Sequence, residues 1–265
     1  MSGRGNPDSL EETVYQRGEL LCAIDEQPRA KPALTAAIDA SRSTVDRGIK
    51  ELREVDCIER RESKHYPTLL GTLSCTRYRR YQSNVGALDE AQAVVSSLPP
   101  STTLSTTFLK DADVHSADPA APEVALQPSI DLLADAKRLL GLAPVKLSLY
   151  IDLLYEHATE NDLSAEIIVE EGMFHPLLRT DEQRLHELVA DGPLTILATE
   201  DILDYALWLM EFPDREVAGA TIYEDGGIRG LIINSAPEAV EWARSEYERR
   251  HDVAEAVPAD ELFEK

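Results

Sequence analysis

The chain has 265 residues, 43% of them hydrophobic, which is enough for two domains with packed cores, the first of them small. No run approaches the ~20 apolar residues that a membrane span requires, so a membrane-spanning protein is excluded. Residues 1–7 show no apolar stretch behind a basic start, which predicts no secretory signal and a cytoplasmic location.

The net charge of −23 is unevenly distributed along the chain. Residues 1–97 contain 14 basic and 15 acidic side chains, a balance of −1, and the rest of the chain carries −22. Because phosphate binding requires cations, we do not expect the acidic part to contact nucleic acid. Lysine is scarce, with 7 against 19 arginines, as in proteomes adapted to molar salt. In such a proteome the acidity reflects the solvent and says little about a partner.

The first predicted helix covers about residues 8–26 and ends near Pro28. Its inner stripe consists of Leu10, Val14, Leu21 and Ile24, which recur at helical spacing. We expect this stripe to pack on the two helices that follow.

A helix-turn-helix pattern follows in residues 34–52. Leu34, Ala37 and Ile38 are the predicted buried side of a short helix, which residues 39–40 interrupt. Ser41 is a good N-cap for the next helix, since its hydroxyl can accept from free backbone N–H groups. That second helix places Val45, Ile49 and Leu52 on one inward face.

The opposite face of this helix predicts contact with DNA. It combines cations with short hydrogen-bonding groups, which suit phosphates and base edges in a major groove. The predicted DNA-binding side chains in this stretch are Ser41, Arg42, Ser43, Thr44, Arg47 and Lys50.

Residues 57–62 and 65–69 are two short strand-like runs around a polar turn at Ser63 and Lys64, and they predict a wing. Arg60, Arg61 and Lys64 would contact the DNA backbone. Any short amphipathic helix pair followed by a hairpin looks similar. The cap, the two-residue break, the basic-polar face and the basic hairpin occur together here, and we therefore favour DNA binding.

Apolar residues at heptad spacing predict a connecting helix after the wing. They are Tyr78, Tyr81, Val85, Leu88 and Val95, with Gln92 interrupting the seam. The partner of this seam is either an identical helix across a two-fold axis or the second domain of the same chain, and we favour the dimer. Two prolines at 99–100 then stop the helix and predict a domain boundary.

Residues 104–250 predict an α/β domain with a mixed sheet. Strand-like runs near 114, 139–140, 167–169 and 194–197 alternate with helices near 130–134, 147–158 and 180–190, which favours a largely parallel sheet. Runs at 205–212, 216–223 and 228–234 should pair antiparallel. Ser235 and Glu238 form a capping box for a last helix that runs to about residue 250.

The chain therefore combines α/β and α+β classes. We expect a winged helix-turn-helix domain (1–70), a connecting or dimerisation helix and linker (71–103), the α/β domain (104–250) and an acidic tail (251–265).

Cysteine and histidine give no pattern of a metal or disulfide site. The chain has an odd number of cysteines that lie far apart in the sequence, Cys22, Cys57 and Cys75, and this favours buried free thiols. The histidines at 157, 175 and 186 lack the i, i+4 spacing that directs two imidazoles at one metal. We expect no metal and no cofactor.

An effector crevice is expected where the parallel and antiparallel parts of the sheet meet. Candidate lining residues are His175, Arg179, Trp208, Tyr223, Glu224 and Arg229. The alternative is structural: Trp208 lies among apolar neighbours and could be core, and Arg229 could simply pair with Glu224.

The winged helix and three later segments resemble a known family of archaeal regulators. The winged helix resembles ArsR- or MarR-like modules, and LLGLAP at 139–144, YEDGGIRGLIIN at 223–234 and SAPEAVEWA at 235–243 resemble the FilR-type sensor domain of the methanogenesis regulator. The resemblance implies a transcription regulator, of haloarchaeal type given the charge balance. It also implies a relation to the phospholipase D-like fold, whose catalytic signature places a lysine two residues after a histidine. None of the six histidines here is followed in that way, so the resemblance implies a non-catalytic domain.

These patterns predict a dimeric, sequence-specific DNA-binding regulator whose second domain senses a small effector or mediates assembly. One alternative is a winged helix that binds protein rather than DNA, since residues 1–97 are not net basic. Another is an enzyme in the α/β domain, but the sequence shows no nucleophile elbow and no phosphate-cradling glycine loop.

Overall fold

The structure is a computed structural model, and it describes residues 9–144, 148–171, 182–190 and 192–257. Contacts divide the chain into two compact units, residues 1–85 and 86–265, which we describe separately.

The N-terminal unit contains three helices, a two-stranded hairpin and the first part of a long helix. They are α1 (Leu10–Glu26), α2 (Lys31–Ala37), α3 (Arg42–Glu54), β1 (Ile58–Arg61), β2 (Lys64–Pro67) and α4 (Leu69–Val95). Leu21, Ile24, Leu34 and Leu52 are fully buried in its core, so the predicted packing of α1 on the helix pair is confirmed. The expectation for Leu10 was wrong: it is 39% exposed, since it is the first residue of α1 and the buried part of that helix begins at Thr13. This order of elements is that of a winged helix-turn-helix.

The predicted break between α2 and α3 is present, as a turn over residues 38–41. Asp39 adopts a positive φ of 46°, a conformation that aspartate tolerates better than most residues. Ser41 caps α3 as predicted, because its hydroxyl accepts from the N–H of Thr44 at 3.1 Å. The expectation for Ala37 was wrong: it is exposed, since α2 ends there and only Leu34 is fully buried.

The expectation of three free thiols was also wrong. Cys22 of α1 and Cys75 of α4 form a disulfide, with their Cα atoms 5.3 Å apart. Only Cys57 is free, and it is buried, which raises the pKa of its thiol. The pairing was missed because the two cysteines are 53 residues apart and meet only when α1 packs on α4.

The C-terminal unit contains an eight-stranded mixed sheet. Its helices are α5 (Thr106–Leu109), α6 (Gln127–Leu133), α7 (Ser148–Glu160), α8 (Glu182–Ala190) and α9 (Pro237–His251), with a 3₁₀ turn at Pro122–Leu126. Its strands are β3 (Asp113–Ser116), β4 (Arg138–Ala143), β5 (Ser164–Glu170), β6 (Leu194–Thr199), β7 (Ala206–Glu211), β8 (Glu216–Glu224), β9 (Gly227–Asn234) and β10 (Glu255–Ala256). The strand order is β10-β6-β5-β4-β7-β8-β9-β3.

The predicted division of the sheet is confirmed. Strands β4, β5 and β6 are parallel neighbours joined through helices, and β7, β8 and β9 pair antiparallel. The strand around residue 114 differs from the expectation of a parallel member, because β3 pairs antiparallel with β9 at the sheet edge. The fold class is therefore the mixed α/β class expected.

Both faces of the sheet are covered. Along β7, Leu207 and Leu209 point into one core, and Trp208 and Met210 into the other, following the alternation of strand side chains. The first core includes residues of α9, and the second includes residues of α7 and α8.

The last helix begins differently from the prediction. Its N-cap is Ala236, without a side-chain cap, so the capping box at Ser235 and Glu238 was wrong. Asn234 instead stabilises the turn before the helix, since its Oδ1 accepts from the Ala236 N–H at 2.8 Å. The Asn234 Nδ2 also donates to two carbonyls, of Phe108 and Lys110, both at 2.8 Å.

The long helix α4 belongs partly to each unit. Ala87, Ala91 and Val94 are buried in the core of the C-terminal unit, so that unit begins at residue 86, before the prolines at which we expected a boundary. The domain limits expected from the sequence otherwise stay a prediction. Among the helices described, none combines the length and low polarity needed to cross a membrane.

Candidate functional site

The outer face of α3 presents a group of exposed polar side chains. Arg42, Ser43, Thr44, Arg47 and Lys50 are all exposed, while the inner face of the same helix is buried. Neither Arg42 nor Arg47 forms an ion pair with any residue that the structure describes. Both guanidinium groups are therefore available to an external anion.

Other charges on or beside α3 are partly neutralised. Asp46 lies between these cations and pairs with Lys31 of α2 at 2.6 Å. Lys50 lies 3.6 Å from Glu54, one helical turn away. Exposed pairs of this kind contribute little to stability and break readily when a stronger partner arrives.

The hydroxyl of Ser41 is already occupied. It accepts from the Thr44 N–H and lies 2.8 Å from the hydroxyls of both Ser43 and Thr44. Its role is to fix the first turn of α3, which orients the three hydroxyl groups together.

The hairpin β1–β2 carries the remaining predicted cations. Arg60, Arg61 and Lys64 are exposed, and the two arginines are held in place: Arg60 Nε donates to the Glu62 carbonyl at 2.8 Å, and Arg61 pairs with Glu59. Arg61 also lies over the ring of Tyr66, 5.1 Å from its centroid. Lys64, expected in the turn, is the first residue of β2.

Sequence reasoning missed the histidine inside the hairpin. His65 is 2% exposed, and its Nδ1 has no hydrogen-bond partner among the described residues. Burial, followed by the nearby charges of Lys31, Arg60 and Arg53, lowers the pKa of His65. Side chains of a strand point alternately to its two faces, and this alternation could have identified His65 as inward-facing.

A second candidate site is a cavity in the C-terminal unit, where the parallel strands meet the antiparallel ones. Trp208 and Tyr223, both predicted for the effector site, line it. Glu224 and Arg229 do not; they pair with each other at 3.6 Å, and Arg229 also donates to the Ala93 carbonyl. His175 and Arg179 lie outside the described residues.

The cavity also includes residues that were not expected there, notably Gly141 and Tyr150. A glycine inside an otherwise apolar strand leaves space where a side chain would be, and in the sequence this could have identified Gly141 as a residue beside a cavity. The Tyr150 hydroxyl lies 2.9 Å from the Ser129 hydroxyl. Burial raises the pKa of Tyr150 and of Tyr223.

Two protein families match the chain. The family described as "Methanogenesis regulatory protein FilR1, middle domain" matches residues 122–252, and the "HVO_A0261 N-terminal domain" matches residues 12–90. The chain is an archaeal transcription regulator with a FilR-type domain. The first match covers most of the C-terminal unit, including the cavity, and the second covers the winged helix and much of α4.

Three solved structures are distantly similar to this FilR-type regulator. TrmBL2, an archaeal chromatin protein with a novel mode of DNA binding, is 11% identical and covers 92% of this chain and 94% of its own, at a TM-score of 0.43. NucT from Helicobacter pylori is 10% identical and covers 56% of this chain and 99% of its own, at a TM-score of 0.41. Polyphosphate kinase from Porphyromonas gingivalis is 11% identical and covers 74% of this chain and 28% of its own, at a TM-score of 0.36.

These scores are too low to support an argument about function, and the relation to the phospholipase D-like fold stays a prediction. No curated protein matches the sequence. Within the described parts of the chain, no three His, Cys, Asp or Glu residues form a group that could hold a metal ion.

Proposed function

We propose that this regulator binds double-stranded DNA sequence-specifically, as a homodimer, and that its C-terminal unit senses a small effector. In this proposal Arg42, Ser43, Thr44 and Arg47 enter the major groove. Lys50 and the three cations of the hairpin, Arg60, Arg61 and Lys64, neutralise phosphates. The regulator acts without catalysis.

The observation that carries DNA binding is the pair of unpaired arginines on α3. Arg42 and Arg47 lie about one and a half helical turns apart and are exposed without an intramolecular carboxylate partner among the described residues. A guanidinium can donate two hydrogen bonds to one guanine edge or phosphate. The near-neutral charge of residues 1–97 makes these local groups more important than a general attraction to DNA.

Dimerisation is supported by the exposed apolar residues of α4. Tyr81, Val85 and Leu88 are 49%, 44% and 42% exposed, whereas Ala87, Ala91 and Val94 form the buried side of this helix. Tyr78 and Val95, at the two ends of the seam, pack on the cores of their own units, so the part of the seam left exposed within one chain is its middle. A second copy of α4 is the partner that its self-complementary spacing fits.

The effector function would work by a population shift. A ligand that favours one arrangement of the two C-terminal units changes the spacing of the two winged helices, which must match sites one DNA turn apart, roughly 34 Å. If compounds that bind the C-terminal unit leave DNA affinity unchanged, this part of the proposal is wrong.

The test of DNA binding compares two arginines of α3. Sites are first selected from random DNA with the full chain, and affinities are then measured by fluorescence anisotropy for Arg47→Ala and for Arg53→Ala. Arg53 is also exposed but lies in the last turn of α3 and is not one of the predicted contact residues. We expect Arg47→Ala to lose about 1–3 kcal/mol of binding free energy and to relax the sequence preference. Arg53→Ala should change affinity little.

Salt dependence separates DNA binding from the alternative of a protein-binding winged helix. Binding through phosphates gives a steep fall of affinity with salt, and Lys64→Ala should reduce that slope by about 1. A folded Arg47→Ala variant with full affinity, or a wild-type affinity that is independent of salt, would contradict the proposal.

A further inference from the structure

An open groove lies between α1 and α4 in the N-terminal unit. Its apolar and aromatic lining consists of Leu10, Val14, Tyr15, Leu73, Tyr78 and Tyr81, and its volume is about 720 Å³. Tyr15 is 65% exposed, Leu73 56% and Tyr81 49%. Sites for small molecules bury roughly 70–90% of their ligand, which walls as exposed as these do not achieve. The groove therefore suits the surface of another protein chain.

The two helices that form the groove are fastened to each other. The disulfide between Cys22 and Cys75 joins them directly. The ring of Tyr78 lies on the backbone of α1 at Gly18, where an added Cβ would be 2.3 Å from the ring. The groove is therefore formed before a partner arrives, and binding there orders few additional groups.

The apolar surface around the groove is large for a monomer. A tyrosine side chain offers roughly 200 Å², so Tyr15 and Tyr81 together leave about 230 Å² in water. The two rings pack edge to face with their centroids 6.0 Å apart, which makes this surface continuous. Leu73 adds to it within the groove, and Val85, 44% exposed, follows one turn of α4 after Tyr81. Continuous apolar patches beyond a few hundred Å² mark interaction surfaces.

On α4 this surface takes the form of a ridge. Leu73, Arg77, Tyr81 and Val85 recur every four residues, and all four are exposed. In the commonest mode of helix packing, a ridge with this spacing lies beside the same ridge of another helix. A second copy of α4 supplies such a ridge.

The charges of the groove also match a second copy. Its lining contains one acidic residue, Glu11 of α1, and one basic residue, Arg77 of α4. Both are exposed, and neither forms an ion pair with any residue that the structure describes. A fitting partner presents apolar side chains together with one charge of each sign, and this surface itself has that composition. Two-fold dimers use the same patch on both copies.

The ridge distinguishes between the possible orientations. In an antiparallel pair with the two-fold axis beside Arg79, Leu73 lies next to Val85 of the partner subunit, since both are six positions from Arg79. Arg77 then lies next to the partner's Tyr81, and a guanidinium over a tyrosine ring is attracted to it. A parallel pair, or an antiparallel axis at Arg77, would bring the two copies of Arg77 together. Like charges in contact weaken binding.

We propose that the groove between α1 and α4 receives α4 of a second copy, antiparallel to its own α4, with the two-fold axis beside Arg79. Each copy contributes the ridge of α4 and the flanking side chains of α1, notably Tyr15. This inference rests on the homodimer proposed above, and it adds the orientation of the two copies and the part played by α1.

The orientation is tested by cross-linking the full chain without DNA. Leu73→Cys and Val85→Cys are prepared separately and mixed, and a short bismaleimide joins thiols that lie close together. Two native cysteines are paired and Cys57 is buried, so the wild type is the control that should not cross-link. Different affinity tags on the two variants identify the cross-linked pairs.

The mixture should give a covalent pair of one Leu73→Cys chain and one Val85→Cys chain. Each variant alone should cross-link at least tenfold less, because residues 73 of the two copies are separated by 12 positions, roughly 18 Å along the helix. Efficient cross-linking of Leu73→Cys with itself would indicate a parallel pair and overturn the inference. A dimer that gives no cross-linked mixture would overturn it as well.

The surface is tested by placing a charge in it. Leu73→Glu should weaken dimerisation by about 30-fold or more in sedimentation equilibrium, because an unpaired carboxylate would be buried at the contact. Val124→Glu is the matched control, since Val124 is also an exposed apolar residue, 63% exposed, but lies in the C-terminal unit. Equal dissociation constants for Leu73→Glu and the wild type would contradict the proposed surface.

The contact of Arg77 is tested by the sign of its effect. Arg77→Gln removes the attraction to the partner's Tyr81 and should weaken the dimer about 2- to 5-fold. In a parallel pair the same change would remove a repulsion and strengthen the dimer. Arg80→Gln removes the same charge from an exposed residue of α4 outside the groove lining and should have a smaller effect.

These measurements separate the inference from the proposals on which it rests. A chain that stays monomeric at every concentration overturns both the homodimer and this contact. A dimer with another cross-linking pattern overturns only the contact. DNA binding through α3 is measured independently with Arg47→Ala, and its failure leaves the cross-linking result valid.

Discussion

Replacing Gly71 with alanine should destabilise the N-terminal unit, although alanine is the better helix former. A Cβ at Gly71, in the first turn of α4, would lie 1.9 Å from the carbonyl oxygen of Cys57. That oxygen also accepts from the backbone N–H and the hydroxyl of Thr68, at 3.0 and 3.1 Å. To restore a carbon–oxygen contact of about 3.3 Å, the helix must move by roughly 1.4 Å.

The expected cost follows from these contacts. Forced crowding costs about 1–3 kcal/mol, and weakening the two hydrogen bonds to the Cys57 carbonyl costs about 1 kcal/mol each. The better helix propensity of alanine offsets about 1 kcal/mol of this destabilisation. The free energy of unfolding should therefore fall by about 2–4 kcal/mol.

The same helix offers a matched control at Gly86. A Cβ there meets nothing within 4 Å, so Gly86→Ala should stabilise the chain by about 0.5–1 kcal/mol. Hydrogen exchange of the full chain, read in peptides from α1, α3 and β1, measures the opening of the N-terminal unit. Gly71→Ala should accelerate the slowest exchange there by roughly 30- to 900-fold, and Gly86→Ala should not accelerate it. If Gly71→Ala exchanges as slowly as the wild type, the close approach of α4 to Cys57 is wrong.

Two further predictions concern the same unit. Reducing the disulfide between Cys22 and Cys75, which are 53 residues apart, should lower its free energy of unfolding by about 4 kcal/mol, measured as faster hydrogen exchange in a reductant. Cys22→Ser should behave like the reduced wild type, and insensitivity of the wild type to reductant would contradict the pairing. Because burial and neighbouring cations lower the pKa of His65, protonation favours the unfolded state. Stability should therefore fall as the pH drops through about 6.5 and below, and less so in His65→Phe; equal pH profiles would refute this role.

Sequence periodicity was sufficient for the elements whose structure depends on local interactions. The cap at Ser41 and the inward face of Val45, Ile49 and Leu52 follow from residues spaced three or four positions from the next. The exposed face that carries Arg42 and Arg47 is then fixed as well. The division of the large sheet into parallel and antiparallel parts was also predictable, since helical crossovers join parallel strands and short turns join antiparallel ones.

The face of α4 that packs was not predictable in the same way. The heptad positions Tyr81, Val85 and Leu88 are exposed, and the small residues Ala87 and Ala91 are buried instead. Close packing of a helix on a sheet favours small side chains, which a hydrophobicity pattern alone underestimates.

The amino-acid sequence by itself determined the winged helix, its basic outer face and the order of strands and helices, because each depends on neighbours in the chain. Only the tertiary structure decided the pairing of Cys22 with Cys75 and the alignment of Gly141, Trp208 and Gly219. These features depend on the register between distant segments, where a shift of one residue would turn every side chain of a strand to the other face. The cavity that Gly141, Tyr150 and Trp208 line therefore exists only in the assembled sheet.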